Sequence, residues 1–335
     1  MSEPLVSILT PFKNSASYIS ECITSILNQS YQNWELIIVN DHSTDDSNSI
    51  VSEFAEKDSR IHLFQNQSLG IIPALRLAFE KSSGRFITRM DSDDIMASQK
   101  LEVMVGNLLK YGPKHIALGA VNYFCSGKLG NGYTDYEKWL NSLTKKGDNY
   151  SEIYKECVIP SPCWMVYRED LEPCGGFDSD VYPEDYDLAF RFYKNRMKCI
   201  PTTEILHHWR DYNTRTSRTH DHYKDNHFLN LKLSFFLEID YNSHRPLVLW
   251  GAGLKGKFCA KFFRKKNIPF LWICNNPKKI GKIIYKTKMH SPQSLQTLSQ
   301  PQVLVTVANK VSQNHIACAL KAKNLVKAKD YFFFC

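Results

Sequence analysis

The sequence predicts an α/β protein in two parts: a domain over residues 1–240 built on a mostly parallel sheet, and a small basic α/β unit over residues 245–335. Three observations predict it. Short apolar runs alternate with amphipathic stretches through the first hundred residues, the pattern of successive βα units with helices on both sheet faces. A strand, a glycine-rich turn and a helix begin again in "PLVLWGAGLKGKFCAKFF", after a polar "NSHRP" that reads as a linker. The charge also changes sign: residues 1–244 carry 25 Lys and Arg against 33 acids, whereas residues 245–335 carry 17 against one acid, Asp330.

The elements follow in order. "LVSILTP", "WELIIVND", "IHLFQN" and "GRFITRMD" read as strands, and "ASYISECITSILNQS", "DDSNSIVSEFAEKD" and "IIPALRLAFEKSS" as the helices between them. The helix "ASQKLEVMVGNLLKY" comes next. From about Gly112 to Ile159 glycine, asparagine and lysine break the pattern, so an irregular segment that shapes a pocket is expected. Order returns with the strand "SPCWMVYRED", a helix beginning near Glu184, the strand "CIPTTEILHHW", a polar basic stretch, and the helix "DNHFLNLKLSFFLEID". The second part reads as a Rossmann-like unit of strands and helices.

Composition narrows the function classes. At 335 residues and 43% hydrophobic content, the chain has material for more than one core. The opening "MSEPLVSILTP" lacks a basic segment leading into an apolar one, and no apolar run reaches about 18 residues. Ten cysteines are scattered without a C-x-x-C pair or zinc spacing. A soluble protein of the reducing cytoplasm is expected. The +16 balance of the second part calls for an anionic partner: a membrane surface, a phosphorylated lipid, nucleic acid, or the acidic first domain. Without an RNA-binding signature, specific nucleic-acid recognition is not expected.

In sheets of this kind ligands gather at the carboxyl ends of the strands, where "TPFKN", "NDHSTDD" and "DSDD" fall. Asp91, Asp93 and Asp94 crowd together as a buried strand stops. Carboxylates so placed raise one another's pKa unless a cation neutralises them, and a divalent metal would. An isolated D-x-D reads more readily as a solvated turn with an aspartate capping the next helix. Glu184, Asp185 and Asp187 stand in the first turn of a helix, where the dipole favours anions.

Taken together, the ordered motifs "VSILTPFKN", "SILNQSYQNWELIIVNDHSTDDS", "RMDSDDI" and "GGF" followed by "EDYDLAFR" resemble those of the glycosyltransferase family 2 enzymes, inverting transferases of the GT-A fold. The resemblance covers roughly residues 4–220. It implies a sugar moved from a nucleotide-sugar, UDP before dTDP or GDP, to a hydroxyl of a saccharide or lipid-linked acceptor, as in bacterial surface polysaccharide synthesis. It implies Mn2+ or Mg2+ held by Asp93 against the donor diphosphate, with Asp91 on ribose or donor-sugar hydroxyls and Asp94 in support. Asp41 would accept the N3–H of the base, Asn40 standing where the family has a first acid. Thr10, Pro11 and Asn14 would line the base, although Lys13 stands where an aromatic is frequent. Asp185 corresponds to the general base, with Glu184 orienting it or touching the acceptor. In "HHWRDYNTRTSR", Arg210 matches a diphosphate clamp, Asp211 departs from a family histidine, and His207, His208, Arg215 and Arg218 lie nearby.

Two alternatives stand beside this reading. "GAGLKG" matches G-x-G-x-x-G, which would permit an NAD(P)-type oxidoreductase through Gly251 to Gly256, but Asn275 and Asn276 stand where a ribose-binding acid belongs. The other is a noncatalytic carbohydrate-binding protein on a transferase scaffold, against which Asp91, Asp93 and Asp185 speak. For the transferase, the basic tail would bring the enzyme to the inner face of an anionic membrane.

Overall fold

The computed structural model describes residues 3–127, 129–213, 215 and 228–335. Strand β1 (Val6–Phe12), helix α1 (Ile19–Leu27), β2 (Trp34–Asn40), α2 (Ser47–Lys57), β3 (Ile61–Gln65), α3 (Ile71–Lys81) and β4 (Phe86–Arg89) follow one another as the periodicity requires. The four strands are parallel in the order β3-β2-β1-β4, with Leu36 opposite both Ile8 and Ile61. Val6, Ile8, Leu36 and Ile38 join one apolar cluster with Ile19, Ile23, Ile26 and Val51. The intervening Leu9, Ile37 and Val39 are buried as well, and α3 packs on β1 and β2. Both faces are covered, which is why these strands read as continuous apolar runs.

The next elements are β5 (Ile95–Met96), α4 (Lys100–Tyr111), β6 (His115–Leu118), β7 (Ala120–Phe124), α5 (Asn131–Thr144), β8 (Trp164–Tyr167), α6 (Arg168–Leu171), α7 (Glu184–Lys194), β9 (Lys198–Ile200) and β10 (Ile205–Arg210). They complete a seven-stranded sheet, β3-β2-β1-β4-β8-β6-β9, in which β8 runs antiparallel to both neighbours. A separate three-stranded sheet has the order β5-β10-β7, so β10 enters between two earlier strands. The fold is a mixed α/β architecture with a large, mostly parallel sheet.

The stretch from Gly112 to Ile159 is not irregular as expected; it contains β6, β7 and the 14-residue helix α5. Its polar residues made it look like loop, yet they are spaced for a helix that serves a strand. Asn141 donates to the Val121 carbonyl at 2.7 Å and accepts the Val121 N–H at 2.9 Å, and Glu137 accepts the Tyr123 N–H at 2.6 Å. Leu140 and Leu143 supply the buried face. Between β6 and β7 the chain changes sheets at Gly119, where a Cβ would stand 2.6 Å from both Cys163 Sγ and Leu206 Cβ, so a side chain has no room. "CIPTTEILHHW" likewise forms two strands, β9 and β10, in different sheets.

By internal contacts the chain divides into residues 1–149 with 158–219, and residues 150–157 with 220–335. The expected division near residue 240 thus falls inside the second unit, because the helix Leu229–Phe235 packs on the helix Leu254–Lys265. The start of the helix expected from Asp225 lies outside the described residues. "NSHRP" is anchored as well: Arg245 donates to Asp330 at 2.7 Å and to the Gln300 carbonyl at 2.7 Å.

The second unit has strands β11 (Leu247–Trp250), β12 (Leu271–Ile273), β13 (Ile283–Ile284), β14 (Thr287–His290), β15 (Gln302–Val305) and β16 (Tyr331–Phe333), in the order β13-β14-β12-β11-β15-β16. All neighbours are parallel except the β13–β14 hairpin. The glycine fingerprint is a packing device here. A Cβ on Gly256 would lie 2.2 Å from the Gly251 carbonyl oxygen, and Gly251 has φ +138°. At the end of β12, Asn275 Oδ1 accepts the Trp250 indole N–H at 2.7 Å.

Candidate active site

The carboxyl ends of β1, β2 and β4 converge through backbone bonds: Asp41 N–H donates to Phe12 at 2.8 Å, and Met90 N–H to Leu9 at 3.0 Å. Across them the Ser15 and Ser92 hydroxyls meet at 2.7 Å, tying the loop after β1 to the aspartate turn. Beyond that turn β5 pairs antiparallel with β10, Met96 opposite His207, so the turn is held against the strand end that carries Arg210.

The three aspartates have three different fates. Asp91 Oδ1 accepts from Arg89 at 3.0 and 3.1 Å. Asp94 is fully buried, accepts the Arg210 backbone N–H at 2.8 Å and meets His207 Nε2 at 2.9 Å. Burial holds the His207 imidazole well below its ordinary value, so a neutral ring meets Asp94, and Nδ1 has no hydrogen-bond partner among the described residues. Asp94 therefore supports β10; it does not cap α4, whose N-cap is Gln99.

Burial also raises the Asp94 carboxyl, but Asp93 has fewer hydrogen bonds. Its Oδ2 accepts the Tyr212 hydroxyl at 2.9 Å. Burial, followed by the charges of Asp94 and Asp91, pushes its carboxyl up to about 6 against the opposing pull of Arg215 and Tyr212. Arg215 stays charged because Asp94 and Asp93 outweigh its burial, and its guanidinium lies over the Tyr123 ring at 5.9 Å.

Arg210 is held at two of its three nitrogens. Nε donates to the Asp93 carbonyl at 2.8 Å, one terminal nitrogen pairs with Glu21, and the guanidinium lies 4.9 Å from the Tyr18 ring centroid and 4.5 Å from that of Phe124. In this structure it holds the aspartate turn. His208 bonds Asn122. Arg218 lies outside the described residues.

On the other side of the sheet end, Asp41 is buried; its Oδ1 accepts Asn66 Nδ2 at 2.7 Å and the Gly70 N–H at 2.9 Å, while Oδ2 faces Lys13 Nζ at 3.6 Å. Thr10 and Pro11 are buried in β1, the Thr10 hydroxyl without a partner among the described residues. Asn14 adopts φ +50° and its Oδ1 accepts the Thr44 N–H at 2.8 Å, joining the β1 and β2 loops. Asn40 is structural, donating to Asn48 at 3.0 Å and to Gln65 at 3.1 Å.

Glu184 and Asp185 open α7. Glu184 pairs with Arg89 at 2.9 Å. Asp185 accepts the Tyr186 N–H at 2.7 Å, and burial, then the charge of Glu184, raise its carboxyl well above the ordinary carboxylate range. A carboxyl tuned upward is suited to take a proton near neutral pH. Asp187 instead pairs with Arg191 at 2.8 Å, holding the helix. The sequence alone does not single out Arg89, Tyr212 or Tyr18; for Arg89 the available signal is a charged residue ending an otherwise apolar strand.

The model of glycosyl transferase family 2 matches residues 7–175. The chain belongs to that family. A glycosyltransferase of Haemophilus influenzae is 42% identical over 129 residues, 37% of this chain and half the length of that protein. Escherichia coli WfgD, a UDP-Glc:alpha-D-GlcNAc-diphosphoundecaprenol beta-1,3-glucosyltransferase, is 43% identical over 196 residues, 58% of this chain and 72% of that one. Among solved structures, S. aureus TarS 1-349 in complex with UDP-GlcNAc superposes with a TM-score of 0.53 at 18% identity, over 78% of this chain and 71% of TarS, which places the fold in the GT-A class.

The donor set of this transferase can be tested against a divalent cation. Among the described residues no three His, Cys, Asp or Glu converge into a complete ligand set. The residues nonetheless fit a hard cation that takes one or two carboxylates and completes its shell with phosphate oxygens and water. Asp93 has the attributes of such a ligand: it is partly exposed, burdened by like charge, and bonded on one oxygen by a displaceable hydroxyl.

Proposed function

We propose that this chain is an inverting, metal-dependent transferase that moves a sugar from a UDP-sugar to a hydroxyl of a lipid-linked saccharide in bacterial surface polysaccharide synthesis. The observation that carries it is the raised carboxyl of Asp185 at the start of α7, linked through Glu184 and Arg89 to Asp91 at the end of β4. Donor carboxylate and base thus share one rigid frame. Asp41 offers Oδ2 to the N3–H of a uracil ring, its other oxygen being occupied by Asn66 and Gly70. Thr10, Pro11 and Asn14 form the wall and turn beneath that base. Asp91 accepts sugar hydroxyls, and Arg210, by fixing the Asp93 carbonyl, sets the height of the turn against the diphosphate.

In the reaction the acceptor hydroxyl gives its proton to Asp185 as its oxygen forms a bond to the anomeric carbon. The bond from that carbon to the diphosphate oxygen breaks on the opposite face, and its electron pair leaves with the nucleoside diphosphate. A single displacement inverts the configuration. A divalent cation on Asp93, Mn2+ or Mg2+, would offset the charge of the departing diphosphate. The choice of UDP and of a lipid-linked acceptor is supported by the name of WfgD, with which this chain shares 43% identity over 196 residues.

The second unit would hold the enzyme at the inner membrane face. Lys278, Lys282, Lys286 and Lys288 are exposed around the β13–β14 hairpin, Ile283 among them is 73% exposed, and the only acid from 245 onward, Asp330, is spent on Arg245. Proton NMR of the product made from an α-linked UDP-sugar tests the chemistry: a β-glycoside is expected, and an α-glycoside would refute inversion by Asp185.

A further inference from the structure

Arg89 is the last residue of β4, two before Asp91, and is 5% exposed. Burying a guanidinium costs several kcal/mol unless partners are well placed, and a buried strand gains nothing from one by packing alone. Its nitrogens are divided between two elements far apart in sequence. Nε and one terminal nitrogen reach Asp91 Oδ1 at 3.1 and 3.0 Å; the other terminal nitrogen reaches Glu184 Oε1 at 2.9 Å. Asp91 belongs to the donor turn, and Glu184 is followed immediately by Asp185. A planar fork with fixed nitrogen positions is the side chain that can set the distance between two carboxylates; the point charge of a lysine cannot.

We propose that Arg89 is a positioning residue for sugar transfer: it fixes the Asp91 end of the donor site against the first turn of α7, and so sets where Asp185 stands relative to the reacting carbon. This rests on the reading of Asp185 as the base. Glu184 then acts as the strut between Arg89 and the base. Arg89 has a second effect through its charge. The groups facing Asp185 are Glu184 and Asp91, which raise its carboxyl, and Arg89, which lowers it. Arg89 keeps more of the base ionised than the two acids alone would allow.

Steady-state kinetics of full-length Arg89→Met and Arg89→Lys, with UDP binding measured calorimetrically in Mn2+, test this. Misplacement by about an ångström costs on the order of 10²-fold, so kcat should fall by roughly that factor in Arg89→Met while UDP affinity and donor KM move far less. The acidic limb of its kcat/KM profile should shift to higher pH. Arg89→Lys should return the limb to its wild-type position while recovering only part of kcat, because charge is restored and the fork is not. Wild-type kcat in either variant, or a fall in Arg89→Met with the limb unmoved, overturns the proposal. If Arg89→Met does not fold, Arg89→Lys decides alone: reduced kcat with an unmoved limb supports the proposal, and unchanged kcat refutes it. If wild-type protein itself fails to bind UDP with Mn2+, the functional reading and this inference fall together; UDP binding with unaffected variants sinks only the inference.

Discussion

Asp93→Asn removes a carboxylate charge while keeping an oxygen that accepts from Tyr212. An ordinary aspartate has a value of 3.8, and in the folded chain Asp93 is raised to about 6. A raised acid binds its proton more tightly when folded, so its contribution to stability is present at low pH and is lost as pH climbs from about 4 to 6. The shift of about two units corresponds to about 3 kcal/mol. Partial exposure to solvent reduces that to about 1–2 kcal/mol. In EDTA at pH 8 the Asn variant should therefore be more stable than wild type, by about 2–8 °C in Tm, and the two should converge near pH 4. Saturating Mn2+ with UDP should reverse the ranking, since ligand at about 100 times Kd adds about 2.7 kcal/mol only where the site is intact. Thermal melts at the two pH values, with EDTA and with Mn2+ plus UDP, read all of this. An Asn variant no more stable than wild type at pH 8 in EDTA would refute the picture of Asp93 as an uncompensated charge waiting for a cation.

Two further outcomes follow from the same geometry. Asp185→Asn should keep cation-dependent UDP binding while transfer slows by roughly 10² to 10⁴; near-wild-type turnover would move the base to Glu184. Full-length protein should sediment with anionic and not with neutral vesicles and be released by salt, each exposed lysine near the surface contributing about 1 kcal/mol; equal sedimentation with both vesicle types would refute the membrane role of the basic unit.

The parallel half of the sheet was legible because β1, β2 and β4 are buried on both faces and their apolar runs admit no other assignment. The helix over residues 131–144 was not, since its Glu137 and Asn141 look like loop residues until β7 appears beside them to take their hydrogen bonds. The same limit applies at the site. Asp91, Asp93 and Asp185 could be picked from ordered motifs, but the distinction among Asp91, Asp93 and Asp94 depends on partners drawn from residues 89, 207, 210 and 212, which only folding brings together. Arg210 illustrates the same limit: the resemblance implies a diphosphate clamp, and only the fold shows its guanidinium between Tyr18 and Phe124 with Nε on the Asp93 carbonyl and a terminal nitrogen on Glu21.

The most direct measurement is nucleoside diphosphate release from a panel of UDP-sugars, with Mn2+ and with EDTA, in the presence of lipid-diphosphate-linked saccharides. Turnover of at least one UDP-sugar with Mn2+, lost in EDTA and in Asp93→Ala, is the expected result. Equal release in EDTA, or none from any UDP-sugar, would contradict the assignment of this chain as a metal-dependent UDP-sugar transferase.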